Sequence, residues 1–475
     1  MKMTFRVQSS EFRAKRDAKH LIALCGTAAP GCVNDRGRGR SRRIMLMMAI
    51  FISSFAISPI VAFAEGPKVL TLDQALGIAM EHNRDIQKAV EYQNWIKGKY
   101  VEERAVALPE LTMTAYKRRD SDATMADLTM GLFPTIQDTK MADVSLKQTV
   151  FAWGKLGAAV RAARIGLKTG DENLRLFRQA VRRDVTEAFD DVLLSKELLD
   201  IARQALAQKE RHLDEARKKY ELGTATDYDV LAAEVSLANA RPDVIRSENG
   251  VHLARLRLQF LLGADAGEVD AAGTLEAEPL SPPVYGDALQ TAYHRRPDLV
   301  NQGYTIKINE ELIRIYNSGD RPHVDLSAAY GKKWLSAGSL DASGNIWFTA
   351  LTLSFPLFDG LRTRGQVRQA RSNLESSKLD EAKLRESVAL QLQGALDNVG
   401  ESAEILKALS GTVKEAQRLL EMSEKGFDLG VKTRLDVDDA QLNLSAARGN
   451  LARARRDYLV ALVTLQWVQG TLGEE

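Results

Sequence analysis

The chain is poor in the residues on which covalent catalysis and metal binding usually depend. It has 2 cysteines and 6 histidines among 475 residues. Both cysteines, Cys25 and Cys32, precede the only long apolar run, so loss of that run would leave no disulfide, no thiolate ligand and no cysteine for lipidation. The histidines show no metal-ligand spacing such as HExxH, and neither a phosphate-binding glycine loop nor a GxSxG elbow is present. The sequence therefore predicts no enzyme, no metal site and no cofactor.

Long apolar runs are equally scarce. The run from Ile44 to Ala64 follows an arginine-rich region and ends in Ala62-Phe63-Ala64, which predicts a secretory signal peptide over residues 1–64, with a transmembrane anchor as the alternative and the true start downstream of Met1 as an open point. Removal of residues 1–64 would leave 54 basic and 60 acidic residues (65 − 11 and 63 − 3). This charge balance gives no reason to expect a nucleic-acid partner. No second run reaches the roughly 20 apolar residues of a membrane helix, so any further membrane segment must consist of strands.

The chain does contain an internal duplication. A duplicated supersecondary unit determines the architecture before any single motif does, and each unit here is read as helix, strand, strand, very long helix, turn and helix. We expect a first repeat over residues 65–263, a proline-containing linker over 264–284 and a second repeat over 285–475. Three pairs of similar segments share one offset of 207 residues: Lys218–Gly223 with Lys425–Gly430, Leu258–Gly263 with Leu465–Gly470, and Val144–Phe151 with Leu351–Phe358.

Each repeat carries two segments with strand-like alternation, near residues 110–118 and 142–152 and near 322–334 and 346–358. Alternation of apolar with small or polar residues over about ten positions is typical of outer-membrane barrel strands, although a half-buried strand of a soluble sheet has the same pattern. The polar segments 117–140 and 335–345 would be external loops. Aromatic residues at the strand ends suit two membrane interfaces: Phe151, Trp153, Trp334, Trp347, Phe355 and Phe358. Four strands cannot close a barrel, so three copies giving about twelve strands are expected.

Two proline-free stretches, residues 155–222 and 362–429, predict helices of about 100 Å with a heptad seam. A dimeric structural coiled coil is the alternative. Gly223 and Gly430 are expected to end these helices, because glycine readily adopts the left-handed conformation that terminates a helix. Thr226 and Thr433 would be the N-caps of the return helices, and Pro242 predicts a kink or a break in the first of them.

Three motifs accompany the duplicated order of elements: Tyr220-x-x-Gly223-x-x-x-x-x-Asp229-Val230-Leu231, its partner from Phe427 through Gly430 to Asp436, and Ala292-x-x-x-Arg296-Pro297-Asp298-Leu299. With these features the chain resembles the TolC-type outer-membrane efflux family, the outer membrane factors. The resemblance implies a mainly α fold with a β part: a trimeric twelve-stranded barrel in the outer membrane of a Gram-negative bacterium, continued by an α-helical barrel through the periplasm. The implied partners are a homotrimer, a periplasmic adaptor (membrane fusion) protein, an inner-membrane pump of the RND or ABC type, and outer-membrane lipid.

The same resemblance implies a passive exit duct for tripartite efflux or type I secretion, gated at its periplasmic tip. The alternative from another class is a periplasmic coiled-coil scaffold or adhesin without a pore. The turns at Gly223, Thr226, Gly430 and Thr433 would contact the adaptor.

By resemblance, the gate positions fall on Lys432, on its acidic partner Asp229 and on Phe427, where the family can carry a hydroxyl. Lysine in place of a forked guanidinium, and phenylalanine without a hydroxyl, predict a gate held by fewer polar contacts. Asp436 and Asp439 would form carboxylate rings that attract cations. The alternative is that both are solvated aspartates favoured by the helix dipole.

Overall fold

The computed structural model describes residues 68–121, 124, 135–263, 267–276 and 282–473. The predicted signal peptide, residues 1–64, lies outside the described residues. The elements in chain order are β1 (Lys68–Leu70), α1 (Leu72–His82), α2 (Arg84–Ala105), β2 (Glu110–Ser121), β3 (Ile136–Phe151), α3 (Lys155–Glu221), α4 (Asp227–Leu262), β4 (Val269–Ala271), α5 (Tyr285–Arg295), α6 (Pro297–Asn317), β5 (His323–Ala337), β6 (Leu340–Ser354), α7 (Arg362–Asp428) and α8 (Arg434–Gln469).

Two long helical hairpins dominate the chain. Helices α3 and α7 have 67 residues each, and the return helices α4 and α8 have 36 each. Both very long helices are therefore confirmed, and at 1.5 Å per residue each is about 100 Å long. Within the described part of the chain, no helix combines the length and the apolar character needed to cross a membrane.

Of the kink or break expected at Pro242, the break does not occur. Helix α4 runs through this residue without interruption. Proline removes one backbone donor from the helix, but the apolar face continues on both sides of it, with Leu237 and Val244 buried. Packing of that face therefore keeps the helix continuous.

The four predicted strands form one antiparallel sheet in the order β2-β3-β5-β6. The strands extend further than the alternation suggested. Ala337 pairs with Leu340, so residues 338–339 alone form the turn between β5 and β6. The prediction of an external loop over residues 335–345 is therefore wrong. The strand expected near 346–358 ends at Ser354, because Pro356 cannot donate a ladder hydrogen bond.

Polar cross-strand pairs explain the longer strands. Arg119 on β2 donates two hydrogen bonds of 2.6 Å to Asp138 on β3. Opposite charges on paired strands stabilise the pairing of the strands, although charged residues of this kind predict a loop when the sequence alone is considered. In the expected loop 117–140, residues 117–121 and 136–140 thus belong to strands, and most of the remainder lies outside the described residues.

A small parallel sheet was not predicted. Strands β1 and β4 pair along three residues each, and β4 lies inside the segment expected to be a linker. Val269 and Ala271 on β4 are buried in the core that contains Leu70, Leu258 and other residues of α1, α3 and α4. The segment after the first repeat therefore returns to the core of that repeat.

The two repeats anchor their short helices in the same way. At the α1–α2 junction, Asn83 donates a side-chain hydrogen bond of 2.8 Å to the Leu261 carbonyl at the end of α4. At the α5–α6 junction, Arg296 contacts the Val468 carbonyl at the end of α8 at 3.4 Å and binds Asp298 through two further bonds. The Arg-Pro-Asp motif is thus a structural junction, and Arg296 is buried there.

Candidate channel entrance at the helical tips

Each hairpin turns through a short segment, called here the first tip (residues 222–226) and the second tip (residues 429–433). Gly223 and Gly430 have the same φ of +74°, the left-handed conformation expected after a helix end. No other atoms crowd either glycine, so backbone conformation alone favours glycine at both positions.

The return helices begin with matching capping boxes. The Thr226 hydroxyl accepts from the Asp229 backbone at 3.3 Å, and the Asp229 carboxylate accepts from the Thr226 backbone at 2.8 Å. Thr433 and Asp436 repeat this arrangement at 3.3 and 2.7 Å, so both N-cap predictions are confirmed. Hydrogen bonds donated by the threonine backbone and hydroxyl lower the pKa of Asp229, and those from the hydroxyl and backbone of Thr433 lower the pKa of Asp436.

The expected pair of Lys432 with Asp229 is not formed within one chain. The Lys432 ammonium lies 3.4 Å from Asp436 on the next turn of α8. The hydrogen bonds of the Asp229 side chain in the described structure are those with Thr226. The first tip has Ala225 at the position that corresponds to Lys432, so the tips share their caps but differ in charge.

Phe427 connects the two hairpins. The ammonium of Lys219, near the end of α3, lies 5.0 Å from the centre of the Phe427 ring on α7. A cation over an aromatic face is attracted by the ring quadrupole. A contact between hairpins therefore persists at this position without a hydroxyl.

Sequence reasoning missed a row of polar contacts between α3 and the second hairpin, called here the hairpin seam. The strongest is the ion pair of Lys209 with Asp438, which are 2.7 Å apart and partly buried. Gln208 donates to Glu424 on α7 at 3.0 Å, and Arg448 on α8 donates to Gln204 at 2.8 Å. Asp438 lies between the two aspartates predicted to form rings, but its partner is 229 residues away, so no local pattern could identify it.

His212 lies in the same seam, one turn beyond Lys209. Neither ring nitrogen has a hydrogen-bond partner in the described part of the chain, and the Glu215 carboxylate lies 3.7 Å from Nδ1. Burial lowers the pKa of His212, and the Arg434 guanidinium lowers it further, against the opposite effects of Glu215 and Asp438. The imidazole is therefore neutral at neutral pH.

Asp436 and Asp439 differ in their surroundings. Asp436 caps α8 and contacts Lys432, as described above, whereas Asp439 is exposed and lines a cavity of about 620 Å³ between α3, α4 and α8. Lys209 and Asp438 line the same cavity, as does Gln441, whose buried side-chain amide has no hydrogen-bond partner. Cap chemistry thus accounts for Asp436, while the exposed charge of Asp439 has no such structural reason.

One face of the sheet is apolar and exposed. Tyr330 pairs with Trp347 on that face, and the Phe151 and Trp153 rings form an edge-to-face contact at 5.4 Å near the helical end. Trp334 lies nearer the β5–β6 turn, with the Lys332 ammonium 5.5 Å from its ring centre. Phe355 and Phe358 are exposed between β6 and α7. The other exposed apolar residues of this face include Leu111, Met113, Leu351 and Leu353.

Comparison with known sequences identifies the family. The family model described as outer membrane efflux protein matches residues 75–264 and 288–471. The chain is 25% identical over 406 residues to the alkaline protease secretion protein AprF of Pseudomonas aeruginosa, which covers 84% of each protein. It is 25% identical over 381 residues to the outer membrane protein TolC of Vibrio cholerae, covering 78% of this chain and 84% of TolC. It is 24% identical over 387 residues to the cobalt-zinc-cadmium resistance protein CzcC of Cupriavidus metallidurans, covering 81% and 86%.

Solved structures show the same fold. The CmeC outer membrane channel of Campylobacter jejuni superposes with a TM-score of 0.75 at 16% identity, covering 85% of this chain and 87% of CmeC. The open-state MtrE outer membrane channel of Neisseria gonorrhoeae gives 0.71 at 19% identity, covering 84% and 89%. Family members form trimeric transport channels that work with adaptor and inner-membrane pump proteins.

These findings do not favour a scaffold without a pore. Three findings support a channel instead: the repeated strand-strand-helix unit, the family match over both repeats, and the fold shared with solved outer membrane channels. The chain belongs to the outer membrane efflux protein family, and it is an outer-membrane exit duct that extends into the periplasm.

Proposed function

We propose that three copies of this chain form a passive, cation-preferring exit duct whose periplasmic entrance is held closed at the hairpin seam. The main observation that supports a trimer is the four-stranded sheet. Among the described residues, strands β2 and β6 are each paired on one side only, and open strand edges are not tolerated in lipid. Three four-stranded sheets joined edge to edge give a barrel of about twelve strands.

The helices support the same assembly. Large apolar side chains are exposed along one face of α4 at heptad-like spacing, among them Tyr228, Leu231 and Val235. On α7, at the opposite side of the chain's helical layer, Leu390, Leu419 and Met422 are exposed. Apolar seams of this kind pack against neighbouring helices. We expect the α4 face of one copy to pack against the α7 face of the next copy.

The entrance follows from the tips. Lys209–Asp438, Gln208–Glu424 and Lys219–Phe427 join the first hairpin to the second within a copy. Lys432 and Asp229 have no contact with each other inside a copy, so their pairing, as the resemblance implies it, would form between copies. Separation of the hairpins along this seam would widen the entrance.

Ion preference depends on the carboxylates of the second tip. Three-fold symmetry turns the exposed Asp439, and with it the capping Asp436, into rings of negative charge, and such rings attract cations in a pore. We expect Asp439 to contribute more, because Lys432 partly neutralises Asp436.

The duct requires energy from partners. An adaptor would contact the turns at Gly223, Thr226, Gly430 and Thr433, and a pump of the RND or ABC type would supply the cargo. The names of two relatives, one for alkaline protease secretion and one for cobalt-zinc-cadmium resistance, show that similar chains serve different cargoes. The outer membrane would surround the apolar face of the sheet.

The oligomeric state tests the proposal. The mature protein, purified in detergent, should appear as a trimer by native mass spectrometry and should shift to a monomer on heating in denaturing gels. Replacing Leu419 and Met422 with glutamate should weaken the trimer, whereas the control Glu404→Gln, at an exposed position of α7 with no ion pair in the described structure, should not. A stable monomer or dimer that washes off membranes in carbonate would contradict it.

A further inference from the structure

Four arginines gather where the sheet of the second repeat gives way to its helices. Arg364, Arg368 and Arg371 lie on the first turns of α7, and Arg321 lies just before β5. They line one open cavity of about 650 Å³, called here the arginine cluster, together with Asn317, Asp320, Thr363 and Val367.

The arginine cluster lacks anionic partners. None of its four guanidinium groups forms an ion pair within the residues that the structure describes, and Asp320 is the one carboxylate among the lining residues. The corresponding position of the first repeat differs: Arg161, which precedes Arg368 by 207 residues, is bound to Glu311 at 2.8 Å. All four arginines are exposed, so the cluster presents several guanidinium groups that can bind an anion from outside the chain.

The cluster lies at the helical edge of the apolar face. The Arg321 guanidinium is 5.6 Å from the centre of the Trp153 ring, and Trp153 contacts Phe151. Phe151 pairs with Val324 and belongs to the exposed apolar face of the sheet. Exposed Phe358, four residues before the start of α7, continues that apolar surface down to the cluster.

We propose that the arginine cluster binds the phosphate of anionic phospholipids in the periplasmic leaflet of the outer membrane. This proposal rests on the outer-membrane location of the duct and not on its gate. Guanidinium groups match phosphate with paired hydrogen bonds, and aromatic side chains beside them suit the boundary between acyl chains and headgroups. The site would fix the depth of the barrel in the membrane.

A neighbouring copy of the chain is the competing source of anions. The carboxylates at the membrane end of α2 are Glu102 and Glu103, and both are already bound by Lys99 at 3.0 and 3.2 Å. The cavity also opens beside α6 of the same chain, through Asn317, and not on the exposed apolar seam that includes Leu390. The lipid is therefore the better match.

The test compares two double variants of the full mature trimer. R368Q/R371Q removes two charges from the cluster, and R211Q/R418Q removes two exposed arginines with no ion pair in the described structure from the distant, tip-side parts of α3 and α7. Binding of phosphatidylglycerol is titrated in phosphatidylcholine nanodiscs and counted by native mass spectrometry. Each basic residue near a membrane surface contributes about fivefold in affinity, so we expect roughly 30-fold weaker binding for R368Q/R371Q and no change for the control.

Charge-preserving and single variants keep the result interpretable. R368K/R371K should retain most of the binding, and high salt should weaken binding to the wild type. If R368Q/R371Q does not assemble, R364Q replaces it with an expected loss of about fivefold. Unchanged phosphatidylglycerol binding in the cluster variants overturns the proposal. So does normal lipid binding with dissociation of the trimer, which would assign the arginines to a neighbouring copy.

Discussion

The ion pair of Lys209 with Asp438 should control how often the entrance opens. Asp438 lies 2.7 Å from Lys209 on α3, and 17% of the lysine side chain and 31% of the aspartate side chain are exposed. Exposed ion pairs contribute about 0–1 kcal/mol, whereas hydrogen bonds to charged groups with restricted solvent contribute about 1.5–3. For this intermediate exposure we take about 1–2 kcal/mol per chain.

Asp438→Asn should therefore favour the separated hairpins by about 5- to 30-fold in each chain. The assay is single-channel recording of the purified trimer in a planar bilayer, with the time spent in high-conductance states as the readout. Loss of a negative charge near the entrance would by itself reduce cation conductance, so an increase distinguishes seam opening from a simple charge effect.

Two further variants refine the result. Glu404→Gln removes an exposed carboxylate of α7 that has no ion pair in the described structure, and it should leave the recordings unchanged. Lys209→Gln combined with Asp438→Asn should resemble Asp438→Asn alone, because Asp438→Asn already removes the pair with Lys209 together with the 3.6 Å contact between Asp438 and Arg434. Additive effects, or an Asp438→Asn channel that opens no more often than Glu404→Gln, would refute the role of the seam.

The remaining predictions concern the tips, the buried charges and the rings. Gly430→Ala should lower stability by about 1 kcal/mol because its φ is +74°, and Gly430→Asn should lower it less; equal thermal midpoints for all three proteins would argue against this. Burial raises the pKa of Asp190 to about 7, so the free energy of unfolding should fall as pH rises from about 4 to 7. Asp190→Asn should abolish that fall, and a variant with the pH profile of the wild type would contradict the prediction. Arg296→Ala should destabilise the second repeat by about 3 kcal/mol, since it leaves a buried junction without its charge partner; a midpoint within a degree of the wild type would contradict this. Asp439→Asn should reduce cation selectivity more than Asp436→Asn, as measured by reversal potentials under a salt gradient, and equal shifts would contradict the ranking.

Much of the fold could be predicted from the sequence because the residues that begin and end its helices act locally. Glycine after a long proline-free stretch and threonine immediately before the next helix specify where each hairpin turns. The duplication then doubles every such signal. The period-two alternation likewise located all four long strands, although not their ends.

The rest depends on contacts between distant parts of the chain. The three-residue strands β1 and β4 are too short to show a period, and they form only because each completes the other. The charged ends of β2 and β3 resemble a loop until Arg119 is seen to face Asp138. The hairpin seam depends on the register of α3 against α8, which no local pattern encodes.

Three copies of the chain should form a cation-preferring duct whose periplasmic entrance lies at the helical tips. Single-channel conductance of the purified mature protein in a planar bilayer under a salt gradient tests it most directly. We predict a small, cation-selective pore whose selectivity falls when Asp436 and Asp439 are both replaced by asparagine. A protein that fails to insert and behaves as a soluble elongated rod would contradict the account.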